Sequence, residues 1–251
     1  MADLRQFLVD MALHYRKRTR IGVALVPALS KQENRVAVLA VVSEGQVEEP
    51  GYIRYVIAMC RRKYNTRMAI HIINDELEAM GVPAHESNSV SRLHRLKEWL
   101  SRYNPEYETH LEDSAWLICD RDDGSFSVRQ FRNVVWECEK SRIQFVISNP
   151  AFQIWLLFHF ADDINLPLLN RAKYSKGKLR EVERQLSTYI PDYVHGKIDM
   201  SNFEYLIESA MQNSQNYATS VSTLKRHVGT DFATLMKFLK ECFGIQSFNQ
   251  I

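Results

Sequence analysis

Two acidic stretches each follow directly after an apolar run. They have the sequences VSEGQVEEP at residues 42–50 and LICDRDDGS at residues 117–125. Their acids are Glu44, Glu48, Glu49, Asp120, Asp122 and Asp123. If both apolar runs are neighbouring strands of a parallel sheet, Glu44, Asp120 and Asp122 converge at the carboxyl edge of that sheet, where ligands gather.

Converging carboxylates repel each other, and some take up protons unless a cation is present. Oxygen ligands with open water positions suit Mg²⁺ or Mn²⁺, which can activate a water or bind a phosphate oxygen. The acids therefore predict a divalent-metal site. The alternative is that acids such as Asp122 or Asp123 cap a helix that follows them.

The apolar pattern places a strand ahead of each acidic stretch. Four continuous, β-branched runs are typical of strands covered on both faces. These runs span residues 35–43, 67–74, 114–120 and 143–148. Helical spacing of apolar residues predicts helices at 51–63, 87–102, 126–140 and 151–160. This alternation predicts an α/β fold with a mostly parallel sheet flanked by helices.

The pattern also divides the chain into three regions. Residues 1–34 are predicted to form an N-terminal extension, and residues 35–160 the α/β domain. In residues 161–251 the strand signal disappears and three helical stretches follow, which we interpret as an α-helical appendage to the sheet.

Composition excludes several classes of protein. The 251 residues contain no run of about 18 apolar residues, so no membrane span is expected. The N-terminus lacks the features of a secretory signal. The four cysteines form no CxxC pair, which favours reduced thiols in a cytoplasmic protein over zinc or a disulfide framework. A net charge of +2 is too small to indicate a polyanionic partner by itself.

A third stretch, ISNPAFQIWLLFHF at residues 147–160, joins the two acidic ones. Together they resemble the RloB family, which is associated with prokaryotic restriction and abortive-infection loci. In that family the first stretch is close to EGxxTEPxYF, the second ends an apolar strand in Asp-Arg-Asp, and the third is close to SNPxFExWLLxHF. All three occur here in order, and the resemblance covers residues 35–160 well and the closing helices more faintly.

The resemblance implies a TOPRIM-type, Rossmann-like fold with a Glu after its first strand and an Asp-x-Asp after its third. At the matching positions, Glu44, Asp120 and Asp122 are the expected catalytic and metal-binding residues. The Asp pair would bind Mg²⁺ or Mn²⁺, and the Glu would bind metal or transfer a proton. Proteins of this kind are thought to be nuclease effectors of phage defence, often encoded beside an ATPase partner.

The chain departs from the family pattern at two positions. Gln153 stands in place of the family's Glu, and Glu48 in place of its Thr, whereas Glu49 matches. If the family's Glu completes a second metal site, Gln153 weakens that site, because an amide offers one carbonyl oxygen in place of a carboxylate. Glu48 either compensates or is a solvated surface acid. Glu48, Glu49, Asp123 and Gln153 are therefore candidates for supporting the metal.

Several polar residues near these stretches have both a structural and a functional interpretation. Ser148 and Asn149 either cap the helix after residue 150 or hold a phosphate. Arg121 either pairs with neighbouring acids, Glu48 or Glu49 among them, or contacts a phosphate. His159 is interpreted first as a packing residue and second as catalytic support.

A basic segment, NRAKYSKGKLR, opens the C-terminal region. It carries Lys173, Tyr174, Lys176, Lys178 and Arg180. Cations with an interleaved aromatic suit a nucleic-acid backbone and a stacked base. The alternative is a solvated helix face, because acids follow at Glu181 and Glu183.

The leading hypothesis is a cytoplasmic, metal-dependent nuclease that cuts RNA, tRNA included, or DNA in phage defence, with an ATPase as partner and no membrane contact. The second is a non-catalytic or partner-activated subunit or sensor, which Gln153 favours. A third is an enzyme that joins phosphodiesters or transfers nucleotides. A homo-oligomer is compatible with each of them.

Overall fold

The computed structural model describes residues 37–45, 47–63, 68–73, 88–102, 114–122, 126–172 and 174–251. The predicted N-terminal extension lies outside these residues, as do two of the candidate site residues, Asp123 and Lys173.

Among the described residues, five strands form one mixed sheet. They are β1 (Ala37–Ser43), β2 (Met68–Ile72), β3 (Ser114–Asp120), β4 (Ile143–Asn149) and β5 (Gly229–Thr230). The strand order is β2-β1-β3-β4-β5, in which the first four strands are parallel and β5 runs antiparallel to β4. The predicted α/β fold with a mostly parallel sheet is confirmed, and β1 and β3 are neighbours, as a shared site requires.

Helices lie between the strands and continue after them. The α-helices of the described residues are α1 (Glu48–Lys63), α2 (Ser89–Arg102), α3 (Val128–Ser141), α4 (Gln153–Phe158), α5 (Leu166–Arg171), α6 (Ser175–Leu186), α7 (Ile207–Asn213), α8 (Val221–Leu224) and α9 (Ala233–Phe243). Short 3-10 helices cover Met200–Leu206, Ser214–Asn216 and Phe248–Gln250. Helix α1 begins three residues before the predicted start, which brings Glu48 and Glu49 into its first turn.

Side chains alternate between the two faces of the sheet, so two apolar cores form. Leu39 and Val41 of β1 belong to one core, whereas Ala40 and Val42 belong to the other. The first core receives side chains from helices α1, α4, α5, α6, α7 and α9, and the second from α2, α3 and α8. The sheet is therefore covered on both faces, which explains its continuous apolar strands.

The C-terminal region packs into the first core instead of standing apart from it. Its strand β5 was not expected from the sequence, because two residues are too short to show a pattern. Gly229 has φ +152°, and a side chain there would overlap the main chain of Ala218. The predicted domain boundary near residue 160 stays a prediction, but the apolar core is continuous across it.

Asp231 links this region to the sheet, because its Oδ1 accepts the Ile147 N–H at 2.6 Å. Burial raises the pKa of this carboxyl to about 7, against roughly 3.9 in an unfolded chain. A folded-state pKa above the unfolded-state pKa contributes to the stability of the folded protein. This contribution is complete below the unfolded-state pKa and is lost as pH rises through the folded-state pKa.

We therefore expect Asp231→Asn to stabilise the protein at about pH 8, because the amide needs no proton and its oxygen still accepts from Ile147. The rise in unfolding temperature should be about 2–4 °C, roughly 1 kcal/mol for a chain of this size. Thermal unfolding across the pH range checks this, and a gain that is equally large at about pH 4 would contradict it.

None of the described helices is both long and apolar enough to cross a membrane. All four cysteines, Cys60, Cys119, Cys138 and Cys242, are buried, and none of them forms a disulfide bond.

Candidate functional site

The carboxyl ends of β1 and β3 bring Glu44 and Asp120 together. The Glu44 N–H donates to the Ile118 carbonyl at 2.9 Å, and the Asp120 N–H donates to the Glu44 carboxylate. The charge of Asp122 also acts on the Glu44 carboxyl. The three acids predicted to converge therefore lie at one edge of the sheet.

Glu49 adds a carboxylate to this edge. It lies in the first turn of α1, is 4% exposed, and accepts the Gly45 N–H. Burial and the charges of Glu48 and Glu44 raise the pKa of the Glu49 carboxyl. The sequence marked Glu49 as a supporting residue, and the structure places it among the central acids.

Glu44, Glu49 and Asp120 resist ionisation at this edge. Burial raises the pKa of Asp120 well above its usual range, and Glu49 and Glu44 raise it further. Burial likewise raises the pKa of Glu44, against a hydrogen bond from Ser89. These carboxyls are therefore short of positive charge, which a divalent cation would supply.

The donor set of carboxylate oxygens fits Mg²⁺ or Mn²⁺ in its chemistry. Within the described ranges, however, no three His, Cys, Asp or Glu side chains already stand as a set of metal ligands. Ligation by Glu44, Glu49 and Asp120 would require side chains to rotate.

The two departures from the family pattern contact each other. Gln153 Nε2 donates to Glu48 Oε2, although 105 residues separate them in sequence. Glu48 Oε1 accepts the Gly196 N–H at 2.7 Å and the Tyr193 hydroxyl at 3.3 Å. Glu48 is only 3% exposed, so the interpretation as a solvated surface acid is wrong.

Gln153 itself is incompletely satisfied. Its Oε1 is buried and has no hydrogen-bond partner among the described residues, while Nε2 also lies 3.4 Å from His195 Nδ1. His195 in turn lies 2.9 Å from Glu183 of α6. Glu48 is thus the carboxylate of a buried network that borders the Glu44 cluster.

Ser148 and Asn149 are buried at the end of β4. The Ser148 hydroxyl pairs with the Thr230 hydroxyl at 2.8 Å, and Asn149 Nδ2 donates to the Leu224 carbonyl at 2.7 Å. The capping interpretation is wrong, because β4 continues through Asn149 and α4 begins only at Gln153. Their phosphate contact stays a prediction.

Arg121 is buried between main-chain and aromatic groups. Its Nη1 donates to the Phe126 carbonyl at 2.7 Å and its Nε to the Lys225 carbonyl at 3.3 Å. The guanidinium also lies 5.7 Å from the centroid of the Phe131 ring. These contacts give Arg121 a structural role, and its predicted contact with a phosphate stays a prediction.

His159 is a packing residue within an aromatic cluster. Its Nδ1 lies 3.0 Å from the Trp155 carbonyl and must carry the proton, so Nε2 accepts from the Tyr52 hydroxyl at 2.8 Å. Burial lowers the pKa of the ring to about 3. A neutral ring with both nitrogens engaged supports the structural interpretation.

The basic segment begins beside the acidic edge. The Ser175 hydroxyl donates to the Arg121 carbonyl at 3.1 Å, which fixes the start of α6 next to Asp120 and Asp122. Tyr174 is 64% exposed. Lys176 and Arg180 are exposed and Lys178 is half-buried. Their placement suits the predicted nucleic-acid contact, which stays a prediction.

The sequence did not reveal two residues of α2. The Ser89 hydroxyl donates to Glu44 Oε2 at 2.7 Å. Arg92, one turn further on, is 2% exposed, and within the part of the chain that the structure describes its Nε and Nη2 have no hydrogen-bond partner. A usable signal was present: in an alternating fold, the helix that follows β2 starts at the same carboxyl edge as Glu44.

Gly45 offers a test of the Glu49 position. A methyl group at Gly45 would overlap the Glu49 carboxylate, so Gly45→Ala should displace that side chain. We expect the free energy of unfolding to change by less than about 1 kcal/mol, because a flexible chain end can move aside. Affinity for Mn²⁺ should fall about 10-fold, as when a ligand loses its support. Calorimetric titration measures this, and unchanged affinity would place Glu49 outside the metal site.

The sheet order and the acidic carboxyl edge define an α/β protein with a candidate site between β1 and β3. The chain belongs to the RloB-like protein family, because the family model matches residues 39–239. A search of curated proteins and a search of solved structures each returned no match.

Proposed function

We propose that this protein is a divalent-metal-dependent nuclease with a TOPRIM-type site. The observation that carries the proposal is the crowding of Glu44, Glu49 and Asp120 at one sheet edge, where burial and mutual repulsion hinder ionisation. Retaining such a cluster is costly unless a ligand neutralises it. Membership of the RloB-like family is compatible with this activity.

The residues have distinct roles in this proposal. Asp120 and Asp122 would hold Mg²⁺ or Mn²⁺, which would supply positive charge to the phosphate oxygens of the substrate. Glu44, which is hydrogen-bonded to Ser89, would share the metal or accept a proton. Glu49 completes the cluster from α1, and Phe152 N–H holds Asp120 Oδ1 at 2.9 Å.

The substrate in this proposal is RNA, tRNA included, or DNA. The exposed Tyr174 and Lys176 beside the acidic edge support contact with a nucleic-acid strand. The resemblance to defence-associated proteins extends the proposal to phage defence with an ATPase partner. Buried cysteines outside any disulfide bond suit the reducing cytoplasm.

A second candidate is a subunit that binds metal or nucleotide but becomes active only with a partner. Gln153 favours it, since this amide stands where the family has a carboxylate, and its buried oxygen has no partner in the described ranges. The lack of a preformed ligand set among the described side chains points the same way.

Incubating the purified protein with total tRNA, mRNA and plasmid DNA separates the two candidates. Each substrate is tested with Mg²⁺, with Mn²⁺ and with chelator, beside Asp120→Ala. Metal-dependent cutting that is abolished in the variant is the expected result.

If no substrate is cut and both proteins bind metal equally, the catalytic assignment of Asp120 fails. If nothing is cut and only the variant loses metal binding, the site is silent until a partner acts, which supports the second candidate.

A further inference from the structure

Helix α3 presents an exposed tryptophan to solvent. Trp136 is 56% exposed, whereas Trp116 and Trp155 are buried and Trp99 is half-buried. A large exposed aromatic ring on a well-formed helix is a feature of binding surfaces. The helix is firmly anchored, since Ser127 and Gln130 form a capping box at its start.

Cations flank this ring along one face of α3. Arg129, Arg132, Trp136 and Lys140 follow at spacings of three, four and four residues, and all are exposed. Such spacing aligns side chains along one side of a helix, over roughly 16 Å here. Lys140 Nζ lies 4.9 Å from the centroid of the Trp136 ring, which is itself 56% exposed.

A second element extends the positive charge. Lys225 and Arg226 follow α8, and the Lys225 pKa is lowered by partial desolvation and by the charges of Arg132 and Arg226. Cations from two elements therefore crowd together, and an anion would relieve that crowding. Of the nearby acids, Glu137 already pairs with Lys97, and the exposed Glu139 precedes Lys140 in sequence.

This surface adjoins the acidic edge. The Phe126 N–H, just before α3, donates to the Asp122 carbonyl at 2.8 Å. The Arg121 side chain bridges the Phe126 and Lys225 carbonyls, so it joins α3 to the segment after α8. A strand bound along α3 would thus lead to the carboxyl ends of β1 and β3.

We propose that this face is a docking surface for single-stranded nucleic acid. Its residues are Arg129, Arg132, Trp136, Lys140, Lys225 and Arg226, and we refer to it as the Trp136 surface. An unpaired base stacks on the exposed Trp136 ring, and the cations contact the phosphates on either side. A duplex hides its base faces, so the ring favours a single strand over a duplex. The binding itself does not depend on the proposed function. Only its purpose, which is to bring a substrate strand to the acidic edge, rests on that function.

Tryptophan fluorescence of the full-length protein tests the proposal without any cleavage. Oligo(U) and oligo(dT) of about 12 nucleotides are titrated in the presence of chelator, so that cutting cannot intervene. We expect quenching that Trp136→Phe removes, and about 10-fold weaker binding by Trp136→Ala. Arg132→Glu should weaken binding and reduce the salt dependence of log K by about 0.7 for each lost phosphate contact.

Tyr205→Ala is the matched control, because Tyr205 is 71% exposed but lies in the 3-10 helix whose Phe203 packs into the opposite core. Its affinity should equal that of the wild type. Equal affinity of Trp136→Ala and wild type, or equal binding of a duplex of the same length, would overturn the proposal. If nucleic acid is cut but Trp136→Ala binds it as tightly as the wild type, the nuclease proposal holds and the proposed surface is wrong. If nucleic acid binds through Trp136 but is not cut, the proposed surface holds and the nuclease proposal is wrong.

Discussion

In the Asp120→Asn variant, the metal-free protein should unfold at a higher temperature than the wild type near about pH 8, and added Mg²⁺ should no longer raise that temperature. Burial and the charges of Glu49 and Glu44 raise the pKa of Asp120. A raised folded-state pKa means that stability is lost as pH rises through it, and the amide removes this loss. The amide oxygen can still accept the Phe152 N–H.

The expected gain without metal is about 1–2 kcal/mol, typical of relieving a strained functional site. In the wild type, Mg²⁺ at about 100 times its dissociation constant should add roughly 2.7 kcal/mol. Losing Asp120 as a ligand should remove this addition and lower the cleavage rate by at least about 100-fold. Thermal unfolding with and without Mg²⁺, followed by the cleavage assay, measures all three effects.

Asp231→Asn is a closely matched control. Asp231 is also a buried carboxyl with a raised pKa that accepts a main-chain N–H, but it follows β5 and its partner is Ile147 of β4, whereas Asp120 ends β3. This variant should gain stability and still respond to Mg²⁺. If the two variants respond alike to metal, Asp120 is a strained structural residue and the metal site is elsewhere.

The strands were predictable from short-range sequence patterns. The convergence of Glu44 and Asp120 was predictable from a general rule of sheet topology. A strand covered on both faces must be apolar throughout, and parallel strands end at the same edge. The start of α1 was less predictable, since Pro50 suggested a boundary although proline is tolerated in the first turn of a helix. Because α1 begins three residues earlier than predicted, Glu49 lies in its first turn and is buried.

Contacts between distant residues could not be predicted in this way. The pairing of Glu48 with Gln153 depends on how α1 packs against α4, and the residues that cover Glu48, Tyr193 and Gly196, come from the C-terminal region. Likewise, arginine side chains are usually exposed, and Arg92 is buried only because α2 packs against the sheet.

Gln153→Glu is expected to destabilise the protein strongly, and Glu48→Thr is expected to rescue it. The substitution replaces the amide that donates to Glu48 with a second carboxylate, and both positions are 3% exposed. Placing an unpaired charge there should cost about 3–5 kcal/mol at about pH 8. A protonated Glu at position 153 can still donate to Glu48, so its pKa is raised and the cost should shrink as pH falls.

Glu48→Thr alone should also destabilise, by about 1–3 kcal/mol, because the Gly196 N–H and the Gln153 amide lose their acceptor. In the double variant one buried carboxylate remains, now on α4 as in the family pattern, so the two costs should not add. Urea unfolding of the four proteins gives the coupling energy.

Gln185→Glu is the control, since its amide also donates to a carboxylate, that of Glu181, but at a half-buried site where the cost should stay below about 1 kcal/mol. Additive costs in the double variant would mean that the buried carboxylate cannot move between α1 and α4, and that Glu48 does not substitute for the family's Glu.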